Sequence, residues 1–409
     1  MREIGAVLSG LKLEFGASIL EVPAQDWDRV AGSKNPFLSH AFLAALENCG
    51  CVGPEAGWLP FPGLLRRVSD GRLIGACPSY IKLNSKGEYM FDYHWAEAYQ
   101  SFHPEQASYY PKLQVAVPFS PVTGSRILLE SIPESRKQEL RTFILRGLVD
   151  KTEELEFSSL HITFCEREER ESAAAVGPYL ERVGEQYHWF NEAYDSFDDF
   201  LATLTSRKRK NIRKERQKAN SHPVSIHTFH GHEMTEELLV AFFAMYENTC
   251  LRKWGQPYLN LAFFRELAEN LGSRLVIFMV RTEPEKSWVA GAWNLRGEDT
   301  LFGRNWGCLE HYDLLHFEVC YYRAIEYAID KGLARVEAGA QGMHKIQRGY
   351  RPRFVHSAHH IVSAPFRDAI AQYLRSEIQE TEWRVEALTH REPFKVKQNS
   401  ESNSREESL

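Results

Sequence analysis

The sequence predicts a mixed α+β protein made of two αβ halves, each with its own mixed sheet, and a basic helical stretch between them. Three observations predict it. The chain has 409 residues, 43 % hydrophobic and 25 % charged, which supports a packed core and suits two or three domains better than one oversized core. Three β-rich runs, a loop and a helix follow one another in the first half, and the same order returns in the second, as architecture rather than as repeated letters. Between the two lies a stretch, 207–218, in which Arg207, Lys208, Arg209, Lys210, Arg213, Lys214, Arg216 and Lys218 face a single acid, Glu215.

In chain order, PFLSHAFLAALEN at 36–48 places Phe37, Ala41, Phe42, Ala45 and Leu46 on one helical face. The runs RLIGACPSYIK from 72, EYMFDYHW at 88–95 after the turn at 84–87, and KLQVAVPF at 112–119 are β-rich and bounded by turn residues, so all read as strands. The loop SPVTGSR then leads to a helix at 133–150, with Leu140, Phe143, Ile144 and Leu148 on one face. In the second half, strands are expected at 274–282, 287–297 and 300–307, and a helix at 316–331 that buries Phe317, Tyr321, Ala324, Ile325, Ala328 and Ile329 and ends at Gly332. ARVEAGA after it alternates as a strand. From Arg391 onward few apolar residues remain, and a disordered tail is expected at 391–409.

Charge and cysteine usage exclude several classes. The 49 Lys+Arg against 55 Asp+Glu give a net charge of −6, so binding to nucleic acid or an anionic membrane must be local. Seven cysteines, with Cys49 and Cys51 the only close pair, suit reduced thiols rather than a disulfide framework or a zinc site. Lys12 and Glu14 interrupt the apolar N-terminus, and no run reaches the roughly 18 apolar residues of a span; a cytoplasmic protein without a membrane span is expected. No G-x-x-x-x-G-K-[ST], strand-linked G-x-G-x-x-G or G-x-S-x-G occurs, which argues against P-loop, Rossmann and serine-hydrolase chemistry.

Two constellations could carry chemistry. A strand that opens through a Gly-containing loop into a helix offers unpaired N–H groups to an anion; the loop from Val117 to Arg126 does so, with Arg126 as a phosphate partner, and an ordinary βα turn is the competing reading. The second is EAGAQGMHKIQRGYRPR at 337–353, where an acid, an imidazole, an amine and a guanidinium crowd a strand end; a purely structural loop with Gly339, Gly342 and Gly349 in turns competes with it. There, His344 and Glu337 are candidates for proton transfer, Tyr350 for an acid, and Lys345 and Arg348 for anionic groups. The histidines 356, 359 and 360 lie on an expected strand; 356 and 360, about 13 Å apart at roughly 3.3 Å per residue, are too distant to share an ion, so no metal is expected. Asp198 and Asp199 read as solvated helix acids. The cations Arg207, Lys208, Arg209, Lys210 and Arg213 form either a solvated helix face or an anion-binding element, RNA being one such anion; no aromatic interleaves them to stack bases.

The blocks Asn35-Pro36-Phe37-Leu38-Ser39-His40, GEYMFDYHWAEAY at 87–99, YYPKLQVAVPFSPVTG at 109–124, GRNWGC at 303–308, LLHFEVCYY at 314–322 and EAGAQGMHK at 337–345 resemble a bacterial and plant family of N-acyltransferases. That family is described as GNAT-like and peptidoglycan-biosynthesis-related, and is similar to the Fem-type aminoacyltransferases. The resemblance covers about residues 16–390. It implies tandem acyl-CoA N-acyltransferase (GNAT-like) domains: 1–190 with an N-terminal extension, a helical basic segment at 191–222, and 223–390. It also implies transfer of an acyl or aminoacyl group to a small-molecule or peptide amine, with acyl-CoA or aminoacyl-tRNA as co-substrate, tRNA as a possible partner and no tightly bound cofactor. Candidate donor- or substrate-binding residues are then Lys112, Thr123, Gly124, Ser125 and Arg126 in the first half and Arg304, Trp306, His316, Gln341, Lys345 and Arg348 in the second. The chain departs from the family pattern at Met343, where the family has Glu, and at Asn305, where it has an aromatic. If that Glu is the base, Glu337, Glu318 or His344 must replace it; otherwise the fold is catalytically impaired and binds a peptide, nucleotide or RNA ligand.

Overall fold

The computed structural model describes residues 10–102, 108–253, 255–339 and 342–395; Gln341 and the tail from 396 lie outside them. Fifteen strands are described: β1 Leu11–Phe15, β2 Trp58–Pro60, β3 Gly63–Arg67, β4 Leu73–Cys77, β5 Ser79–Lys82, β6 Lys112–Val115, β7 Leu128–Leu129, β8 Ser159–Cys165, β9 Tyr179–Phe190, β10 Val224–His230, β11 Leu275–Thr282, β12 Trp288–Arg296, β13 Thr300–Cys308, β14 Arg335–Glu337 and β15 Arg351–Ile361. The helices are α1 Ala24–Ala31, α2 His40–Asn48, α3 Tyr93–Phe102, α4 Glu134–Glu154, α5 Arg167–Val176, α6 Phe197–Thr203, α7 Ser206–Ala219, α8 Glu236–Lys253, α9 Leu261–Leu271, α10 at 315–330 and α11 Ala364–Thr389.

Strands β1-β3-β4-β7 form a small sheet, and the other eleven form one continuous sheet ordered β10-β11-β12-β13-β14-β9-β15-β8-β6-β5-β2. Each half repeats one motif: antiparallel strands, a helix, then a strand returning parallel to the last one. In the first half β6 lies parallel to β8 with α4 between them in sequence; in the second β13 lies parallel to β14 with α10 between them. This is the tandem N-acyltransferase-like α+β architecture. The halves also trade their last strands. β9 pairs with β14 of the second half, β15 pairs with β8 of the first, and β9 and β15 pair with each other over ten residues. One sheet results because the two exchanged strands satisfy each other's edges, leaving no open edge at the centre.

Two expected strands come out differently. The run from 72 is cut by Pro78, which has no N–H for a ladder, and β4 and β5 enter different sheets. EYMFDYHW is not a strand: 88–92 is irregular and α3 starts at Tyr93, because Glu88 and Asp92 turn inward to a buried lysine and the Asp92 carbonyl accepts from Trp95 and Ala96 N–H. Elsewhere the periodicities hold. Ser39 caps α2 by accepting from Phe42 N–H at 3.3 Å, and α10 buries Ala324, Ile325 and Ala328 as expected. α10 is interrupted by a π-turn, Glu318–Tyr322, a feature that often accompanies functional sites.

The end of β13 is held against α8 by a missing side chain. A Cβ on Gly307 would lie 2.4 Å from the Met245 carbonyl carbon and the Tyr246 nitrogen. Gly307→Ala is therefore expected to cost about 1–3 kcal/mol by overpacking, read as a lower urea midpoint with unchanged slope.

Candidate functional site

The pairing of β13 with β14 stops at Phe302 opposite Glu337, and β13 runs on to Cys308 paired only with β12. Strand alternation sends Val336 into the core under α10 and Glu337 to the other face, toward the first half. There the Glu337 carboxylate, 3 % exposed, accepts from Thr123 Oγ1 at 3.2 Å to each oxygen. Arg335 Nε lies 3.4 Å and His188 Nε2 3.9 Å from it. Burial raises the Glu337 pKa to about 7, with Arg335 and Thr123 holding it back from going higher. His188 is pushed down to about 3, by burial first and then by Arg335, Arg353 and Lys345, so it is neutral and leaves the carboxylate half-ionised near neutrality. A carboxyl poised in this way can take a proton from an amine at physiological pH. Gln186 continues the buried polar line along β9, donating to the Pro121 carbonyl at 2.6 Å. Sequence reasoning missed Gln186, His188 and Arg335. The signal for Gln186 and His188 is their alternation with Tyr187 and Trp189 in β9, polar residues facing one side of a strand that is buried on both; Arg335 shares a face of β14 with Glu337, two residues on.

His344 belongs to a different group. Its Nε2 lies 3.0 Å from the Tyr321 hydroxyl, its ring packs on Phe317, and Tyr321 and Trp306 both touch the His316 ring. No hydrogen bond or ion pair joins His344 to Glu337 among the described residues. Burial, then Arg348 and Lys345, lower the His344 pKa; burial, then His344 and nearby lysines, take His316 down to about 3. Lys345 Nζ donates to the Ala338 and Gly339 carbonyls at 2.5 and 3.2 Å, tying the loop to the end of β14, and burial lowers it to about 8. Tyr350, expected as an acid, is fully buried beside Tyr321, and burial holds its phenol well above the usual range, so its proton is not available.

The first-half loop does not present the open anion site expected of it. The Glu169 carboxylate already accepts from Arg126 and Ile127 N–H and from Ser125 Oγ, at 2.6–2.9 Å. Arg126 is fully buried and donates to the carbonyls of Val122, Gly124, Ser125 and Thr163. A carboxylate therefore stands where a phosphate would, and the guanidinium is taken up by backbone carbonyls of the loop and of β8. Gly124, at φ 147°, donates its N–H to the Phe164 carbonyl, while Thr123 reaches across to Glu337. Lys112 is likewise withdrawn from substrate, buried in ion pairs with Glu88 and Asp92.

Glu318, expected as a substitute base, is engaged by the basic helix: Arg216 donates to it through Nε at 3.0 Å and Nη2 at 2.9 Å, and Arg323 Nε stands 3.2 Å away. Arg348 bridges α7 and the site loop, paired with Glu215 at 2.9 Å, donating to the His344 carbonyl and lying over the Phe317 ring at 3.4 Å. On α7, Lys208 donates to Gln347 and Arg213 pairs with Asp198. Arg207, Arg209 and Lys210 form no ion pair among the described residues and leave a cationic outer face. Arg304, on the bulge of β13, joins the second half to the first through the Tyr89 hydroxyl and the Phe119 carbonyl. No three His, Cys, Asp or Glu side chains converge as metal ligands, and no helix is long and apolar enough to cross a membrane, among the described residues.

Comparison with solved structures finds the same fold at low identity. FemX superposes with a TM-score of 0.52 at 11 % identity, covering 88 % of this chain and 100 % of FemX. A conserved protein of unknown function from Bacteroides thetaiotaomicron gives 0.52 at 12 %, covering 86 % and 100 %. No functionally curated protein matches the chain by sequence. The model of one family, FemAB-like, described as peptidoglycan biosynthesis/recognition, matches residues 18–396. With nearly the whole chain matched and the twin halves joined in one sheet, the protein belongs to the FemAB-like family.

Proposed function

We propose that the protein transfers an acyl or aminoacyl group from an activated thioester or ester to an amine, with Glu337 as general base. The observation that carries this reading is the Glu337 carboxyl itself: buried where β13 and β14 part, bonded to Thr123 of the other half, and balanced near pH 7. In the step, Glu337 takes a proton from the ammonium, the neutral nitrogen attacks the carbonyl carbon, the N–C bond forms as the C–S or C–O bond breaks, and the leaving thiolate or alkoxide takes a proton. Little else is required of the protein beyond holding the two reactants together, since oriented pairs reach effective molarities of about 10⁵ M and above. The second half supports donor binding better than the first, because the first-half loop is closed by Glu169 and Arg126, whereas Trp306 and His316 flank the stretch of β13 that lies beyond its pairing with β14.

Transfer of a labelled acyl group from a panel of CoA thioesters and aminoacyl esters to an amine library tests the reading. With ionised Glu337 as the active form, kcat/KM rises with pH through about 7 and levels off above it; a profile flat between about pH 5 and 8 removes Glu337 from the mechanism. The competing reading, an impaired fold that only binds, draws on Met343, which is 60 % exposed at the position of the family's Glu. Met343→Glu should raise transfer if that position supplied a base, and a protein with no transfer in either form is a binder.

The outer face of α7 supports a polyanionic donor such as an aminoacyl-tRNA over a free thioester. If so, the affinity for RNA falls steeply with salt, and Arg209→Glu with Lys210→Glu flattens the slope by roughly one unit for each phosphate that is no longer neutralised. An unchanged slope assigns α7 a purely structural role.

A further inference from the structure

The chain between α1 and α2 precedes the repeated motif of the first half and docks on the second. Ser33 Oγ donates to Glu298, a Cβ on Gly297 would lie 2.1 Å from the Lys34 carbonyl oxygen, and the Phe37 ring meets the Phe302 ring edge-on at 5.6 Å. Phe302 is the residue opposite Glu337 in the β13–β14 register. From there Asn35, 7 % exposed, reaches the first-half loop: its Nδ2 donates to the Thr123 carbonyl at 3.0 Å, and its Oδ1 accepts from Phe37 N–H at 3.0 Å. Both ends of the amide are engaged, which fixes its orientation.

Thr123 Oγ1 supplies the hydrogen bond that the Glu337 carboxylate accepts. Its loop is clamped three times: Gln186 of β9 donates to the Pro121 carbonyl at 2.6 Å, Gly124 N–H donates to the Phe164 carbonyl of β8 at 3.1 Å, and Asn35 holds the Thr123 carbonyl. Of the three, only Asn35 bonds the residue that carries the hydroxyl. Gly124 leaves it room: at φ 147°, a Cβ there would lie 2.7 Å from Asn35 Nδ2. A reacting group keeps its geometry only when the residues behind it are themselves locked.

We propose that Asn35 is a positioning residue for acyl transfer: by fixing the Thr123 carbonyl it keeps the Thr123 hydroxyl on the Glu337 carboxyl. The role rests on the acyl-transfer reading, in which Glu337 is the base, and Asn35 acts on that base only through Thr123. A hydroxyl donates more strongly to an ionised carboxylate than to a carboxylic acid, so its loss favours the protonated form. Burial raises the Glu337 carboxyl, while Arg335 and then Thr123, through its hydroxyl and its backbone, hold it down. Without Asn35 the hold of Thr123 slackens, and Glu337 ionises at a higher pH.

The pH dependence of kcat/KM tests it in the full chain, compared between the parent, Asn35→Ser, Thr123→Val and the double variant. Asn35→Ser keeps an oxygen to cap Phe37 N–H and loses the donor to Thr123. Each single substitution should move the midpoint upward from about 7 by about 0.5–1 pH unit. The same shift lowers kcat/KM at pH 7 by about two- to fivefold, and the loss should vanish by about pH 9, where Glu337 is ionised in every form. The double variant should match Thr123→Val alone. An NMR titration of the Glu337 carboxyl should show the same displacements with no substrate present. Gly124→Ala, whose Cβ pushes the Asn35 amide aside, should reproduce the shift and decides the matter if Asn35→Ser does not fold. A midpoint unmoved in folded Asn35→Ser, a deficit equal at every pH, or shifts that add in the double variant overturns the positioning role and leaves Glu337 as the base. Displaced carboxyl titrations in a protein that transfers no acyl group leave Asn35 as the residue that holds Thr123 on Glu337 and sink acyl transfer instead.

Discussion

Replacing Glu337 by Gln lowers kcat for acyl transfer by about 10²- to 10⁴-fold, the usual contribution of a positioned general base, while making the folded protein more resistant to unfolding at alkaline pH. The two effects share one cause. Burial raises the Glu337 pKa from 4.5 to about 7, so the folded state holds its proton more tightly than the unfolded chain. Stability is full while the carboxyl is protonated in both states and falls as pH rises from the unfolded value to the folded one. A shift of that size corresponds to about 3 kcal/mol. Gln keeps the shape and can still meet Thr123, but carries no charge to desolvate. The gap in unfolding free energy between Glu337→Gln and the parent should widen in favour of the variant between about pH 4 and pH 8. A variant that is inactive and also less stable at pH 8 has simply been damaged, and the base would then have to be sought elsewhere; a variant that is active and stabilised leaves Glu337 as a strained buried acid without a part in transfer.

What could be read from the sequence divides along the range of the interactions involved. Helices α2, α4 and α10 and strands β11 to β13 follow from local apolar spacing, and the acid at the end of β14 was visible as a strand-end carboxylate. The basic stretch forms the expected helix, α7. The rest depends on partners distant in the chain. Glu337 owes its raised pKa to burial against the first half, with Thr123, more than two hundred residues away in sequence, pulling it back down, and no spacing rule reports that. Arg126 looked like a phosphate ligand because its neighbours are Gly and Ser; it is instead a buried structural group, because Glu169, on α5, supplies the anion internally and backbone carbonyls take the guanidinium. Glu318 looked like a free acid on a helix, but its helix turns through a π-bulge that aims it at Arg216 of α7. EYMFDYHW alternates aromatic and polar residues as a strand does, yet the polar set contains two acids that a buried lysine can satisfy, and that ion pairing outweighs β-propensity, which spans only about 1 kcal/mol. The exchange of β9 and β15 between halves is invisible in sequence because a strand's alternation says which face is buried and does not name the strand it pairs with.

Lys112→Met is expected to destabilise the protein by about 3–5 kcal/mol, the cost of leaving buried charge without its partner. Lys112 has a fully buried side chain, 2.9 Å from Glu88 and bonded directly to Asp92. Asp92 also accepts from Tyr109 at 2.9 Å and Ser85 at 2.5 Å, and Tyr109 reaches His161, which lies 2.6 Å from His359, ring nitrogen to ring nitrogen. Burial alone would raise the Asp92 pKa, but Lys112 and His161 hold it well below the usual carboxylate range; burial, against Lys112, leaves Glu88 raised to about 7. The depressed Asp92 pKa contributes stability that is present above the unfolded value and lost as pH falls through the folded one. Removing Lys112 removes most of that depression, so Asp92 protonates at a higher pH in the variant. The stability difference between parent and Lys112→Met should therefore be largest near neutral pH and shrink on acidification toward about pH 4. Lys82 is a poor replacement, since burial lowers it to about 7 and its Nζ stands 3.8 Å from Glu88, against 2.9 Å for Lys112. Urea unfolding across pH reads both predictions. A constant deficit at every pH would mean that the lost methylene packing of Lys112, not its charge, holds the 88–92 segment in place, and Met, of similar length, should already have restored that packing.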